Sequence, residues 1–195
     1  MSTTTTSAPS VSDVQRLGTL PRYPHVAFIG RAGSGKTTAA DYLVAKYGYR
    51  RISFAALLKD VAVQLWGDTA RMDRDKLQKL GVAVRSIDPN TWVDAALRRV
   101  DESGVSVVID DCRFPNEFGA LQKRHFVFVR LEAPVDVRVH RLQVINKFQN
   151  HEQLEHISET ALDGVAGDHV IENTDELDAL KLAIDVVLYK EVSRT

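Results

Sequence analysis

The residues with the clearest chemical meaning form one loop, with the sequence GRAGSGKT at positions 30–37. They match the pattern G-x-x-x-x-G-K-[ST], in which glycines let successive backbone N–H groups turn inward around the phosphates of a nucleotide. The ammonium group of Lys36 can reach the β- and γ-phosphates, and the hydroxyl of Thr37 is placed for Mg²⁺. The pattern predicts a nucleoside triphosphate site, with contacts from Arg31, Ala32, Gly33, Ser34, Gly35, Lys36, Thr37 and Thr38.

The segments on either side of this loop are the elements that such a site requires. The apolar run at 25–29 precedes the loop and predicts a strand, and apolar residues repeat at helical spacing after it until Gly48. A helix that begins at the loop directs the positive end of its dipole toward a bound anion. The sequence therefore predicts a strand, a phosphate loop and a helix in that order.

Two carboxylates and an arginine follow a second apolar run. The predicted strand at 105–109 ends in Asp110 and Asp111, and Arg113 comes two residues later. A carboxylate at the end of such a strand is a candidate contact for the same Mg²⁺, and a guanidinium beside it can bind a phosphate with two hydrogen bonds. The alternative for Asp111 is that it caps the helix that starts near Pro115.

A helical block over about 55–103 interrupts the alternation of strands and helices, with a break at Asp88-Pro89. Arg85 in this block is a candidate ligand for the phosphate of an acceptor molecule, and Phe54 or Trp92 offers an aromatic face to a base. For Trp92 the alternative is ordinary core packing. Lys59 is either a further phosphate ligand or part of the solvated side of an amphipathic helix.

A second arginine pair follows the fourth predicted strand. Pro134 suits the first turn of a helix, and Arg138 and Arg141 then share one face of it, before a polar segment at about 143–157. Two cations on a helix that carries a lid can neutralise charge on a phosphoryl group in transfer, so they join Lys36 and Arg113 as candidate catalytic groups. We interpret His140, His151 and His156, which show no metal-ligand spacing with Cys112, as surface or lid residues.

Five short apolar strands alternate with helices along the chain, which predicts an α/β fold with a five-stranded parallel sheet covered by helices on both faces. Ligands of such sheets bind at the carboxyl ends of the strands, so the loops that follow the strands are expected to line one cleft. The predicted strands are 25–29, 51–54, 105–109, 126–129 and 169–171.

The composition limits the class of protein and its partners. The 195 residues suit a single domain over 22–195 after a disordered Ser- and Thr-rich tail over 1–21. A formal charge of −1 does not favour a nucleic acid polymer as the partner, and the single cysteine fits a reducing cytosol. No apolar run approaches the roughly 18–20 residues that span a bilayer. We therefore expect a cytoplasmic protein, monomeric or homodimeric, that binds small molecules.

Several longer segments together resemble the deoxynucleoside monophosphate kinases of tailed bacteriophages. The resemblance runs from about residue 24 to the C-terminus, and its selective parts are the D-D-x-R-F-P-N-E run and the later H-x-S-E. The segments are GRAGSGKTTAADYL, ISFAALLKD, LQKLGVAVR followed by TWV, VVIDDCRFPNE, HISETALD and VIENTDEL.

The resemblance implies a phosphate-loop kinase of nucleoside monophosphates, in the host cytoplasm if a phage encodes it. It implies that Arg85 and Arg113 bind the acceptor phosphate, that Arg138 and Arg141 belong to a lid over about 138–160, and that Asn173 and Thr174 lie by the adenine of ATP. Glu159, with His156 and Ser158, matches the family string and is a candidate substrate contact. An N-x-G of the family reads Asn173-Thr174-Asp175 here.

The expected reaction is transfer of the γ-phosphoryl group of ATP, with Mg²⁺, to a deoxynucleoside monophosphate. Animal-type phosphomevalonate kinases resemble the chain in the same places, with an arginine pair, a Ser-Glu-x-x-Leu-Asp element and I-E-N, and would differ only in the acceptor. Dephospho-CoA kinase is a weaker resemblance, because its aspartate-rich segment is missing around 51–54. A regulatory ATPase is the alternative from another class of protein.

Overall fold

The computed structural model describes residues 23–148, 150–174 and 176–194, without the side chains of Arg74 and Gln153. The predicted tail over 1–21 lies outside the described residues. Five strands form one sheet in which every pairing is parallel, in the order β2-β3-β1-β4-β5. This confirms the predicted five-stranded parallel sheet. The strands are β1 (Val26–Ile29), β2 (Arg50–Arg51), β3 (Val107–Ile109), β4 (Val127–Glu132) and β5 (His169–Glu172).

Helices connect the strands, and 3₁₀ turns at Asp68–Met72 and Glu152–Glu155 supplement them. None of the described helices is long and apolar enough to cross a membrane. The described helices are α1 (Lys36–Tyr47), α2 (Phe54–Trp66), α3 (Arg74–Ile87), α4 (Thr91–Asp101), α5 (Pro115–Gln122), α6 (Val135–Val144), α7 (Ile157–Thr160) and α8 (Leu177–Val192).

The core consists of two apolar clusters, one on each face of the sheet. Strand β1 contributes to both, because successive side chains of a strand point to opposite faces: Ala27 and Ile29 join one cluster, and Val26 and Phe28 join the other. Residues of α2 and α4 cover the first cluster, and residues of α1 and α8 cover the second. The three central strands β1, β3 and β4 are therefore buried on both sides, which confirms the predicted layers of helix, sheet and helix.

The second strand is shorter than predicted and is displaced along the chain. The sequence predicts a strand over 51–54, whereas β2 contains only Arg50–Arg51. Ser53 caps α2 instead, since its side chain accepts a hydrogen bond from the backbone N–H of Ala56 at 3.1 Å, so Phe54 is the first residue of a helix. The break predicted at Asp88-Pro89 separates α3 from α4, and the block over 55–103 is helical as expected.

Two glycines of the segment before β5 test how tightly this edge of the sheet packs. A Cβ at Gly167 would lie 2.8 Å from the carbonyl oxygen of His169 and 2.9 Å from that of Phe128, whereas a Cβ at Gly164 would meet nothing within 4 Å. We expect Gly167→Ala to lower the free energy of unfolding by about 1–3 kcal/mol, because backbone atoms must move. Gly164→Ala should stay within about 1 kcal/mol of wild type in the same urea titrations, and equal effects of the two variants would contradict this packing.

Candidate active site

The phosphate loop lies at the carboxyl end of β1 and is held closely by other elements. Gly33 and Gly35 adopt φ angles of +81° and +100°, which side chains rarely allow. A Cβ at Gly33 would lie 2.7 Å from the carbonyl oxygen of Arg138 on α6, and one at Gly35 would lie 2.4 Å from the Nδ2 atom of Asn173 after β5. The glycines are therefore required by close approach as well as by backbone conformation.

Lys36 directs its ammonium group into the loop that precedes it. The Nζ atom donates hydrogen bonds to the carbonyl oxygens of Gly30 at 2.6 Å and Arg31 at 2.9 Å, and the residue is buried. Burial, together with the positive charge of Arg113, lowers the pKa of Lys36 to about 8. The lysine is thus held where an anion in the loop would meet its charge.

Asp110 lies beside Thr37 at the end of β3. The Thr37 hydroxyl donates to the Oδ2 atom of Asp110 at 2.9 Å, and Arg51 contacts both carboxylate oxygens through Nε and Nη2. Arg51 also donates to Asp41 at 2.8 Å. Hydroxyl and carboxylate oxygens are ligands that Mg²⁺ prefers, so Thr37 and Asp110 fit a magnesium site completed by phosphate oxygens. Arg51 was missed in the sequence, because its neighbour Asp110 is distant along the chain.

Asp111 has a different set of partners from Asp110. Its carboxylate accepts hydrogen bonds from the hydroxyl of Ser53 at 2.6 Å and from the backbone N–H groups of Phe54 at 3.2 Å and Ala55 at 2.8 Å. Burial raises the pKa of the Asp111 carboxyl. Asp111 therefore binds the N-terminus of α2, and the alternative that it caps α5 was wrong, because Glu117 accepts from the backbone N–H groups at that helix end.

Arg113 reaches from the end of β3 to the segment around α7. Its Nη1 atom forms an ion pair with Glu159 and donates to the carbonyl oxygen of Ser158 at 3.3 Å. The other carboxylate oxygen of Glu159 accepts from the backbone N–H of Ala32 in the phosphate loop at 2.7 Å. A single carboxylate thus joins the phosphate loop to the arginine that the sequence assigns to an acceptor phosphate.

The two arginines of α6 contact the same loop from the side of β4 and β5. Arg138 is buried and donates to the carbonyl oxygens of Ala133 at 3.2 Å and Ala32 at 3.3 Å. Arg141 donates to the carbonyl oxygen of Asn173 at 3.0 Å, and the side-chain Nδ2 atom of Asn173 donates to the backbone carbonyl oxygen of Ser34 at 2.9 Å. The predicted lid residues and the predicted adenine-side residue Asn173 are therefore neighbours of the loop.

A cavity of about 690 Å³ joins these groups at the carboxyl ends of the strands. A smaller cavity of about 260 Å³ adjoins Thr38, Arg141 and Asn173, and Thr174 beside it is exposed. The predicted site residues that line the larger cavity are Ala32, Gly33, Gly35, Lys36, Thr37, Thr38, Asp110, Asp111, Arg113, Arg141 and Glu159.

Four residues predicted to bind the acceptor do not line this cavity. Phe54 and Trp92 are buried in the apolar cluster on one face of the sheet, each 6% exposed. Arg85 places its guanidinium carbon 5.9 Å from the centre of the Phe114 ring. Lys59 is half-buried on α2. The packing of Trp92 matches the alternative of ordinary core packing, and Phe54, predicted as a face for a base, is a core residue as well.

The remaining nucleophile and metal candidates are weak in the described part of the chain. Cys112 is buried, and burial raises the pKa of its thiol, so a thiolate is disfavoured. Among the described residues, no group of three or more His, Cys, Asp or Glu side chains could hold a metal ion by itself.

These features define the class of P-loop proteins with a kinase-like fold. The chain belongs to the AAA domain family, whose model matches residues 26–147. The phosphate loop, the carboxylate after β3 and the arginine helix α6 all lie inside the matched range.

Solved structures of similar fold include kinases. TT1252 from Thermus thermophilus superposes with a TM-score of 0.58 at 22% identity and covers 87% of this chain and 98% of its own. Shikimate kinase from Acinetobacter baumannii, in complex with shikimate, superposes with a TM-score of 0.56 at 16% identity and covers 93% of this chain and 98% of its own. A gluconokinase from Sinorhizobium meliloti 1021 superposes with a TM-score of 0.54 at 16% identity and covers 89% of this chain and 99% of its own. At these identities the likeness is one of fold.

A curated relative comes from a virus. The chain is 36% identical over 104 residues to uncharacterized protein ORF77 of Ictalurid herpesvirus 1 (strain Auburn). The matched stretch covers 49% of this chain and 45% of the viral protein. The chain spans about half the length of this relative.

The hydrogen bonds of Asp111 predict a structural effect. We expect Asp111→Ala to lower the free energy of unfolding by about 1–3 kcal/mol, because the buried N–H groups at the start of α2 lose their acceptor. The control is Asp94→Ala, an exposed carboxylate in the first turn of α4, which should cost about 0.5 kcal/mol or less. Unchanged stability of Asp111→Ala together with a lost Mg²⁺ requirement would favour the metal role instead.

The lowered pKa of Lys36 predicts that nucleotide affinity depends on pH. Phosphates favour the charged amine, so the complex binds more protons than the free protein above pH 8, and affinity should fall as pH rises through about 8. We expect a decrease of up to about tenfold per pH unit for ADP in calorimetric titrations between about pH 7 and pH 9. Lys36→Arg should flatten the profile, and an equally flat wild-type profile would contradict the assignment.

Proposed function

We propose that the protein is an ATP- and Mg²⁺-dependent kinase that transfers the γ-phosphoryl group to the phosphate of a deoxynucleoside monophosphate, giving ADP and the diphosphate. The observation that carries this proposal is the cavity of about 690 Å³, in which the phosphate loop faces a second cation, Arg113, at the end of β3. A guanidinium in that position can bind the phosphate of an acceptor with two hydrogen bonds. The kinase-like fold supports phosphoryl transfer as the general class of reaction.

The deoxynucleotide as acceptor rests on the resemblance to the phage kinases. The two most selective segments of that resemblance contribute residues to the cavity: Asp110 and Arg113 come from the D-D-x-R run, and Glu159 comes from the H-x-S-E segment. In this proposal the helical block over 55–103 forms one wall of the acceptor side, and the region over 138–160 acts as the lid.

Positioning and charge neutralisation account for the catalysis. The phosphate of a monoester is already anionic at neutral pH, so no strong general base is required to activate it. Lys36 and the loop N–H groups hold the donor phosphates, Arg113 orients the acceptor phosphate against the γ-phosphate, and Arg138 and Arg141 neutralise the charge of the group in transfer. When bound at Thr37 and Asp110, Mg²⁺ supplies further charge neutralisation at the phosphates.

The acceptor is tested directly with a panel of small phosphates. Coupled measurement of ADP release should show turnover with one or more deoxynucleoside monophosphates, and ribonucleoside monophosphates and mevalonate phosphate complete the panel. Preference for mevalonate phosphate would favour the phosphomevalonate kinase alternative. ATP hydrolysis that no acceptor stimulates would favour a regulatory ATPase, which the AAA domain family name also allows.

The position of Arg113 predicts how its removal changes the kinetics of the two substrates. Arg113 lines the cavity, whereas Arg85 does not, so Arg113→Ala should raise the KM for the monophosphate by about 10- to 100-fold with a smaller change in ATP affinity. Steady-state kinetics with either substrate varied would measure this. Arg124→Ala, which removes a partner of Asp101 at the surface, is the matched control and should leave both KM values near wild type. Lost ATP binding with the acceptor KM retained would reverse the assignment.

A further inference from the structure

The carboxylate of Glu159 lies at the junction between the donor and acceptor sides of the cavity. One of its oxygens accepts a hydrogen bond from the backbone N–H of Ala32 at 2.7 Å, and the other forms the ion pair with Arg113. The Glu159 side chain is 10% exposed and that of Arg113 is 37% exposed, so the carboxylate is largely shielded from solvent while the arginine is still accessible from the cavity. Glu159 thus contacts one group of the phosphate loop and one cation of the acceptor side at the same time.

These two partners are groups that bind phosphate oxygens. A backbone N–H of a phosphate loop and a guanidinium can both donate to a carboxylate or to a phosphate, because both of these anions offer two or more oxygens to charge-assisted hydrogen bonds. The phosphate that lies between a donor loop and an acceptor arginine is the terminal one of the donor. The Glu159 carboxylate therefore stands in a position that suits the γ-phosphate.

We infer that Glu159 marks the position of the transferred phosphoryl group and competes with it, so that the γ-phosphate must displace this carboxylate from Ala32 and Arg113. The inference rests on the proposed function, since it concerns the same site. It makes Glu159 a residue that discriminates between nucleotides: a triphosphate has to displace the carboxylate, whereas a diphosphate ends before reaching it.

The surrounding contacts restrict this displacement to one side chain. Glu155 and Asp163, on either side of Glu159, pair with Arg31 at 2.8 and 2.6 Å. Arg130 on β4 donates to the carbonyl oxygens of Leu162 at 2.5 Å and Val165 at 3.0 Å. These contacts do not involve Glu159, so the segment stays attached to the loop and the sheet when its carboxylate turns away.

The test is a comparison of two nucleotides in the absence of any acceptor. Calorimetric titrations with ADP and with the non-hydrolysable β,γ-imido analogue of ATP, both with Mg²⁺, give the ratio of the two affinities for each variant. In Glu159→Gln the analogue should bind about tenfold more tightly than in wild type, because the competing charge is gone, while ADP should change by no more than about twofold.

Two further variants separate this effect from a change in net charge or in folding. Glu152→Gln makes the same charge change at an exposed position of the same segment and should keep the wild-type ratio. Glu159→Asp keeps the charge but is too short to bridge both partners, so it should give an intermediate ratio, and it serves in place of Glu159→Gln if that variant does not fold.

The outcomes distinguish this inference from the proposed function. If wild type binds both nucleotides and the Glu159 variants keep its affinity ratio, the inference is wrong and the proposed kinase activity is unaffected. If Glu152→Gln shifts the ratio as much as Glu159→Gln, net charge explains the effect and the inference is also wrong. If wild type binds neither nucleotide, the proposed function fails and the inference fails with it.

Discussion

The backbone of the phosphate loop is confined by neighbouring elements, and the rest of the cleft is arranged around it. Helix α6 packs so closely against Gly33 that this position has no room for a side chain. The same is true of Gly35, against which Asn173 packs. The sheet supplies the rigidity behind these contacts, because β1 is paired with parallel strands on both sides and buried on both faces. The loop can therefore present its N–H groups in a fixed geometry without a ligand to order them, which reduces the entropic cost of binding.

Charge balance is the second constraint on the cleft. Three arginines around the loop are paired with carboxylates from distant parts of the chain: Arg51 with Asp110, Arg113 with Glu159, and Arg31 with Asp163. A group of unpaired cations at such close range would repel one another and destabilise the fold. At Arg113 an incoming phosphate therefore exchanges places with a carboxylate, whereas at Lys36 it meets an ammonium group that donates hydrogen bonds to backbone carbonyl oxygens.

The sequence predicted the features that depend on local pattern. The phosphate loop, the parallel sheet and the start of α5 at Pro115 all follow from motifs, apolar periodicity or the fixed φ of proline. The end of β2 was misplaced because Ser53 and Asp111 together favour a helix start, and this pairing joins residues far apart along the chain. Arg51 as a partner of Asp110 and the burial of Trp92 likewise depend on tertiary packing, which the spacing of residues along a chain does not encode.

The central claim is that one cleft holds ATP and a nucleoside monophosphate end to end. The most direct test is inhibition by a bisubstrate analogue in which adenosine and a deoxynucleoside are joined through five phosphates. The account predicts that the analogue competes with both ATP and the monophosphate and binds once per chain, because the phosphate loop and Arg113 border the same cavity. Competition with ATP alone, with the monophosphate still binding to the complex, would contradict it.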